Sequence, residues 1–466
     1  MAEDYRGGLR QLKAPLKKLS ALFGKGGAEQ SLGHEFLWVV AGMLFSMLGG
    51  LLTVKILSNM LEITEFGEYT LLFSIASFMI SVFFTTLGQI NLRYIIIARD
   101  AGELDRFKAW QHSTFLGLAL LSALLLLPVA QYAGNMQDNR MAMFICLSVL
   151  ILVWGKQISQ QFVLMAFRLR KEIGMSQIIG AIARPLGVLA AVLWVGQNPE
   201  FAILGLAMGF LLLAISQQYF LNRYWQRMEQ DSGPPRTGTA GRDVLNMKNY
   251  LSYGMTYALI GLATITVLIA DRWLLSFFGT LKQVAIYAAL MQVALAPVAF
   301  SHAVLSRLAA PILFSSQKAG TAHIGKRQYS ILVLAWLGIS GIVLLGAVLF
   351  HPAIVRLLTN SDFAEYSYLL PWMVLGLLLE RTMQVLELKG SVLLQTRAYM
   401  VSRLSLIASV PLFEYLFLLV YGFDWLVLGL IVATGLGVVS TLLINRFVLR
   451  SSVWHARGDQ KPPGQD

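Results

Sequence analysis

Residues 51–72 read LLTVKILSNMLEITEFGEYTLL. An apolar run reaches a polar break, and a short apolar turn interrupts that break. A second apolar run then opens on Phe66 and Tyr69. This is the pattern of two apolar helices joined by a tight connection. A helix that is apolar all round is buried either in a large core or in lipid. Composition decides between the two. The chain has 466 residues, of which 56% are hydrophobic and 13% charged, where soluble domains carry about 25% charged residues. The excess apolar surface belongs in lipid, so the fold class is an all-α polytopic membrane protein. Forty glycines agree with this, because small residues let membrane helices approach closely.

Working outward, apolar runs of membrane-spanning length recur near 36–57, 67–90, 113–133, 140–164, 175–196, 200–221, 249–271, 283–304, 329–350, 365–388, 399–421 and 424–446. The stretch TITVLIADRWLLSFFGTLKQVAIYAAL (264–290) echoes the opening hairpin, at the first hairpin of a second set of spans. Between the two sets lies EQDSGPPRTGTAGRD, whose Gly, Pro, Ser and Thr read as a flexible linker. The expected organisation is a basic segment (1–35), a first six-helix lobe (36–222), a linker (223–248), a second six-helix lobe (249–447) and a tail (448–466). An even number of spans per lobe implies a parallel repeat about an axis along the membrane normal.

The basic residues support this layout. Of the 37 Lys and Arg, 30 fall to the side that carries both termini and 4 to the other, while Lys55, Lys156 and Arg184 lie within spans. A bias of this kind puts the termini in the cytoplasm. The same distribution argues against nucleic acid as a partner, since the net charge of +12 comes from connections between spans and not from a basic face on a soluble fold. The first 30 residues lack a cleavable signal, so the first span is expected to remain as an anchor. Within the N-terminal segment, Leu9, Leu12, Leu16, Leu19 and Phe23 alternate with Arg10, Lys13, Lys17 and Lys18. They describe a basic amphipathic helix for anionic lipid of the inner leaflet, bent or interrupted at Pro15, with a disordered basic tail as the alternative.

Catalytic signals are absent. Cys146 is the sole cysteine, which excludes an intrachain disulfide and a cysteine metal site. The sequence holds no phosphate-cradling glycine loop, no histidine pair at metal spacing and no nucleophile elbow. The expectation is a non-enzyme without cofactor, through which any transport would be uncoupled or driven by H⁺ or Na⁺.

The two hairpins resemble those of a known family. LSNMLEITEFGEYTLLFSIASF, with Phe66, Gly67 and Tyr69, is similar to the first hairpin of polysaccharide and lipid-linked oligosaccharide flippases. ADRWLLSFFG followed by AIYAAL, with Asp271, Arg272 and Tyr287, resembles the start of their second half, and LSRLAAP, with Arg307 and Pro311, their stretch after span eight. The chain departs from the pattern at Ala285, where the family often has Gly. This is the multidrug/oligosaccharidyl-lipid/polysaccharide (MOP) superfamily, and the branch resembled is that of the Wzx-type repeat-unit flippases. The resemblance implies a bacterial inner-membrane transporter that moves an undecaprenyl-pyrophosphate-linked oligosaccharide, with polysaccharide polymerases and glycosyltransferases as partners.

Independently, the polar residues inside the spans ask for an explanation. A charge at mid-span costs roughly 2.5–3.5 kcal/mol on insertion scales, so such residues face a bundle interior or a water-filled cavity. Ser176, Gln177, Gly180 and Arg184 share one face of span five, beside Pro185. Lys156 and Gln160, and Gln157 and Gln161, form two adjacent rows on span four. Lys55 adds a cation at the far end of span one, and Ser74, Ser77, Ser81 and Thr85 form a stripe on span two. These residues are expected to line a basic cavity, with Lys and Arg for pyrophosphate and Gln for sugar hydroxyls. The alternative is that Arg184 and Lys156 pair with acids and tie the lobes together. Glu380, Gln384 and Glu387 share a face of span ten next to Arg381, and Glu414 shares one with Arg403. Glu380, Glu414 and Asp271 are the ion-coupling or counter-ion candidates, with Asp271 also read as a helix-end cap or hairpin salt bridge. Pro297, Pro371 and Pro411 are read as bends or breaks within spans. Other functions remain open at this stage: a cation-coupled multidrug exporter, a scaffold for polysaccharide assembly, or a membrane-bound glycosyltransferase or polymerase, against which the short outer loops argue.

Overall fold

The computed structural model describes residues 28–133, 140–231, 247–318, 322–392 and 395–448. Among them are twelve helices long and apolar enough to cross a membrane: α1 (Leu37–Met60), α2 (Ile63–Asp100), α3 (Leu104–Pro128), α4 (Met141–Ala166), α5 (Arg170–Trp194), α6 (Pro199–Met228), α7 (Tyr253–Phe278), α8 (Leu281–Arg307), α9 (Arg327–Leu358), α10 (Ser367–Gly390), α11 (Met400–Tyr421) and α12 (Phe423–Val448). They coincide with the twelve apolar runs, and no strand occurs among the described residues. The fold is an all-α, twelve-span membrane bundle. Large side chains such as Leu120, Ile342 and Leu419 stay exposed on its flanks, as a lipid-facing surface requires.

The opening stretch folds as its polar break dictates. The helix of α1 ends at Met60, and the next begins at Ile63. The Glu62 N–H donates to Glu65 Oε2 at 2.9 Å, which satisfies a backbone group the new helix cannot pair. Deeper in α2, a π-turn at Ile80–Phe84 interrupts regular winding beside α7, where Gly261 packs on the Ser81 carbonyl.

Several boundaries differ from the sequence reading. The expected linker is shortened from both ends, because one helix runs on to Asp231 and the next starts at Met247. Helical hydrogen bonding does not stop where lipid ends, and the polar residues of those turns extend the same helices into water. Residues 1–27 and 449–466, which carry the expected amphipathic helix and most of the tail, lie outside the described residues, as do 232–246 of the linker. The helix continues through Pro297 and Pro411. Pro371 stands in the first turn of its helix, where a missing N–H costs nothing. Arg272, Arg381 and Arg403, which the count of basic residues above placed outside the spans, lie inside α7, α10 and α11.

Within the first half, α5 packs along α1 and α6, and α4 packs along α6. Within the second, α12 packs on α10 and α11, and α8 on α10. The halves meet through α1 and α2 against α7 and α8. The Gly49–Gly50 pair, read from the sequence as a packing surface, divides its roles. A Cβ on Gly49 would strike the Ala181 backbone of α5, whereas Gly50 faces open space at the junction of the halves.

Candidate functional site

At that junction lies a cavity of about 570 Å³, walled by α1, α2, α4, α5, α7 and α8. Its walls are largely apolar, with Ser46, Ser77, Ser81, Gln177 and Gln292 among the polar exceptions. Two guanidinium groups also line it, Arg272 and Arg307, and no Asp or Glu occurs among its lining residues. Arg307 ends α8 on the face that carries the termini, while Arg272 lies six residues before the opposite end of α7. At 1.5 Å per residue the two lie roughly 30 Å apart in depth. Gln292, Ala296, Ala299, Ala303 and Arg307 recur at three- and four-residue steps, so one face of α8 supplies a whole wall.

Arg184 stands beside this cavity. Its Nη2 donates to Ser46 Oγ at 3.1 Å, and its Nε to the Gly180 carbonyl at 3.0 Å. Its guanidinium also covers the Phe210 ring at 5.5 Å. Phe210, Trp154, Phe73 and Tyr69 continue as a row of near-parallel rings, with centroids 4.8, 5.5 and 6.1 Å apart. Mutual stacking makes this row a rigid wall that holds Arg184 in place. Tyr69 is within electrostatic reach of both Arg184 and Arg272. No carboxylate bridges to Arg184 among the described residues, so the ion-pair alternative fails for this residue.

The structure separates the other residues that the sequence grouped. Gln177 lines the cavity, but its neighbour Ser176 turns toward Gln217 of α6. Ser77 and Ser81 line it, whereas Ser74 is buried and bonds back to the Leu71 carbonyl. Gln157 bonds to Gln161 at 2.9 Å, on the side of α4 that carries Trp154. Lys156 and Gln160 occupy a different pocket, between α3, α4 and α6. Lys55 donates to the Thr359 carbonyl and is absent from the cavity wall. Helical spacing gave each of these residues a polar face but could not say what that face meets. Arg272 and Arg307 were quoted only as family markers. Their signal was available in the apolar stripe Ile265, Leu268, Arg272 and in the α8 stripe.

The acids of the second half also divide. Glu380 accepts from Gln384 at 2.5 Å and lies 3.2 Å from Arg381 and 3.6 Å from Arg403. Arg403 grips Glu387 through Nε at 2.9 Å and Nη2 at 2.6 Å, tying α11 to α10. Glu380 is thus engaged by two guanidinium groups and an amide. Asp271 lies inside α7, not at its end, and among the described residues it forms neither a cap nor a hairpin salt bridge. Its Oδ1 accepts from the Arg272 N–H at 2.8 Å, and its Oδ2 has no partner. Glu414 does not reach Arg403. It is fully buried, both its oxygens lack a hydrogen bond, and Asp271 is the charge that acts on it.

On the face opposite the termini the halves are closed onto each other. Lys55 reaches the Thr359 carbonyl, Asn360 donates to the Ser58 carbonyl at 2.6 Å, and Phe66 meets Phe363 edge-on at 5.5 Å. Gly67 fits against the Leu281 carbonyl with no room for a Cβ. Gly67→Val is expected to wedge α2 from α8. Overpacking of about 1–3 kcal/mol shifts an open–closed equilibrium about 5–150-fold. In a Cys146→Ala, Ser77→Cys background, an impermeant maleimide applied from that face should then label the cavity much faster. Unchanged labelling would show that Gly67 closes nothing.

The model of the family described as polysaccharide biosynthesis protein matches residues 32–317. No curated protein matches the chain. Among solved structures, an inward-facing multidrug resistance MATE family transporter of the MOP superfamily superposes with a TM-score of 0.65 at 14% identity, over 88% of this chain and 96% of its own. An outward-facing MATE family transporter gives 0.60 at 14% identity, over 90% and 96%. A mutant of a Vibrio cholerae MATE transporter gives 0.61 at 16% identity, over 91% and 99%. These likenesses establish the fold, and the family match spans more than half of the sequence. The chain belongs to the polysaccharide biosynthesis protein family and is a multi-pass membrane protein with the fold of these MATE family transporters.

Proposed function

We propose that the protein is a flippase for an undecaprenyl-pyrophosphate-linked oligosaccharide repeat unit, an O-antigen or exopolysaccharide precursor. It works in the bacterial inner membrane with both termini cytoplasmic. The observation that carries this reading is the cavity wall, which has guanidinium groups at both ends, amides and hydroxyls between them, and no carboxylate. A pyrophosphate presents a dense array of acceptor oxygens, and Arg meets these through paired hydrogen bonds. Ser and Gln serve sugar hydroxyls, since each both donates and accepts. The lipid tail stays in the bilayer while the head group crosses. The halves 36–222 and 249–447 rock about the cavity, opening it to one face at a time. H⁺ or Na⁺ coupling falls to Asp271 and Glu414, two buried carboxyls behind Arg272 with oxygens unengaged. Polymerases and glycosyltransferases of the same assembly route would be neighbours in the membrane.

A second reading, a cation-coupled multidrug exporter, is favoured by the apolar share of the cavity wall and by those same two carboxyls. A scaffold has no use for the cavity. Purified protein in liposomes carrying a fluorescent lipid-linked oligosaccharide separates the readings. Translocation is scored by accessibility of the sugar to an external glycosidase. The flippase reading expects time-dependent access that needs the protein, with no accumulation of a cationic dye under a proton or Na⁺ gradient. Dye transport without sugar translocation would establish the exporter instead.

A further inference from the structure

The pocket that takes Lys156 and Gln160 away from the central cavity has a chemistry of its own. It measures about 180 Å³ and lies between α3, α4 and α6. On α4, Lys156 is two residues from Trp154, hence about 200° around the helix, and so points away from the cavity that Trp154 lines. On α3 the pocket is bounded by Lys108, Gln111, His112 and Phe115. His112 is followed at four-residue steps by Leu116, Leu120 and Leu124, all exposed, so the pocket sits at the boundary with lipid. Its depth follows from helix position. Lys108 lies in the second turn of α3, and Lys156 ten residues, about 15 Å, from the end of α4 on the same face.

Its charges are unbalanced. The lining holds Lys108, Lys156 and His112 and no acid. Asp105, 3.6 Å from Lys108, is almost fully exposed and outside the pocket. Lys108 is held over the Trp225 ring at 4.1 Å, and Lys156 beside Phe115 at 5.7 Å, with no carboxylate partner for Lys156 among the described residues. The floor is an amide chain. Gln160 donates to Gln218 at 2.7 Å, and Gln218 to Asn222 at 2.7 Å, while Gln111 donates to Ser159 at 3.0 Å. One acceptor is left over. Gln160 is 5% exposed, lines the pocket, and its Oε1 has no partner. Two ammonium groups and a spare acceptor beside lipid match one kind of ligand: a phosphodiester with a hydroxyl close by.

We propose that this lateral pocket binds the head group of an anionic phospholipid of the phosphatidylglycerol type, from the leaflet on the side of the termini. Lys108 and Lys156 hold the phosphate, and Gln160 Oε1 accepts from a head-group hydroxyl. The proposal is independent of what the central cavity carries, since none of its residues lines that cavity.

The test is native mass spectrometry of the full-length protein released from detergent micelles, titrated with phosphatidylglycerol and, separately, phosphatidylcholine. The unaltered protein should prefer phosphatidylglycerol by about 10-fold, the scale of a single charge-assisted hydrogen bond. The Lys108→Gln, Lys156→Gln double variant should lose that preference, Lys156→Arg should keep most of it, and Gln160→Leu should lower it while leaving the lysines in place. Lys156 is exposed, so its replacement leaves packing intact, and a melting curve for each variant confirms folding. Equal binding of the two lipids, or a preference that survives in the folded double variant, overturns the assignment. So does competition by millimolar inorganic phosphate, which would mark a site for a soluble anion.

Discussion

Under the proposed flippase function, lipid-linked oligosaccharide translocation by an Arg272→Ala, Arg307→Ala protein is expected to fall at least about 100-fold, with each single variant down about 10-fold. A hydrogen bond to a charged group contributes about 1.5–3 kcal/mol, and when one guanidinium is removed the only other charged residue lining the cavity is the second guanidinium, at its opposite end. The two single variants carry different risks. Arg272 is 5% exposed and adjoins the buried Asp271, so its loss also disturbs the second half. Arg307 is exposed at the mouth of the cavity, so its variant isolates the effect on substrate. Arg307→Lys should retain part of the activity, since it restores the charge without the paired geometry. Rates are compared at matched amounts of folded protein in liposomes. Wild-type translocation by folded Arg307→Ala would remove the anionic head group from the mechanism.

Arg403→Ala is expected to destabilise the protein by about 3–5 kcal/mol, the cost of breaking a buried ion pair from one side. Arg403 holds both Glu387 and Glu380, the latter 2% exposed, and its removal asks two carboxyls to share what remains of the network. The thermal midpoint in detergent should drop by several degrees. Replacing Glu387 by Ala in the same chain should recover part of the loss, because the charge left behind is the larger part of the penalty. Strictly additive losses in the double variant would reduce the contact to ordinary packing. Translocation per folded molecule should change little, which distinguishes this tie from the arginines of the cavity.

Different parts of the molecule were legible in the sequence to different degrees. The hairpin at 51–72 was readable because its cause is local: an apolar run, a polar break and a helix start capped by Glu65. The intramembrane charges were recognisable as exceptional, since any charge between apolar runs demands a partner or water. Their destinations were not readable. Lys156 and Trp154 are two residues apart on one helix and face different compartments. Lys55, a cation at the right depth, is taken up by a backbone carbonyl 304 residues away. Glu414 was paired on paper with Arg403 by periodicity, while Arg403 found its acids on the neighbouring helix.

From the chain alone came twelve spans, their alternating direction and the expected division into two sets of six, because hydrophobic length and the placement of Lys and Arg are properties of segments. Only the tertiary structure decided which polar faces converge. It moved Arg272 and Arg307 onto the cavity wall, left Gln177 there and carried Lys156 and Gln160 to the lipid boundary. The physical reason is that a helix fixes the angle between its own side chains, whereas what lies opposite each angle depends on the crossing of helices far apart in sequence.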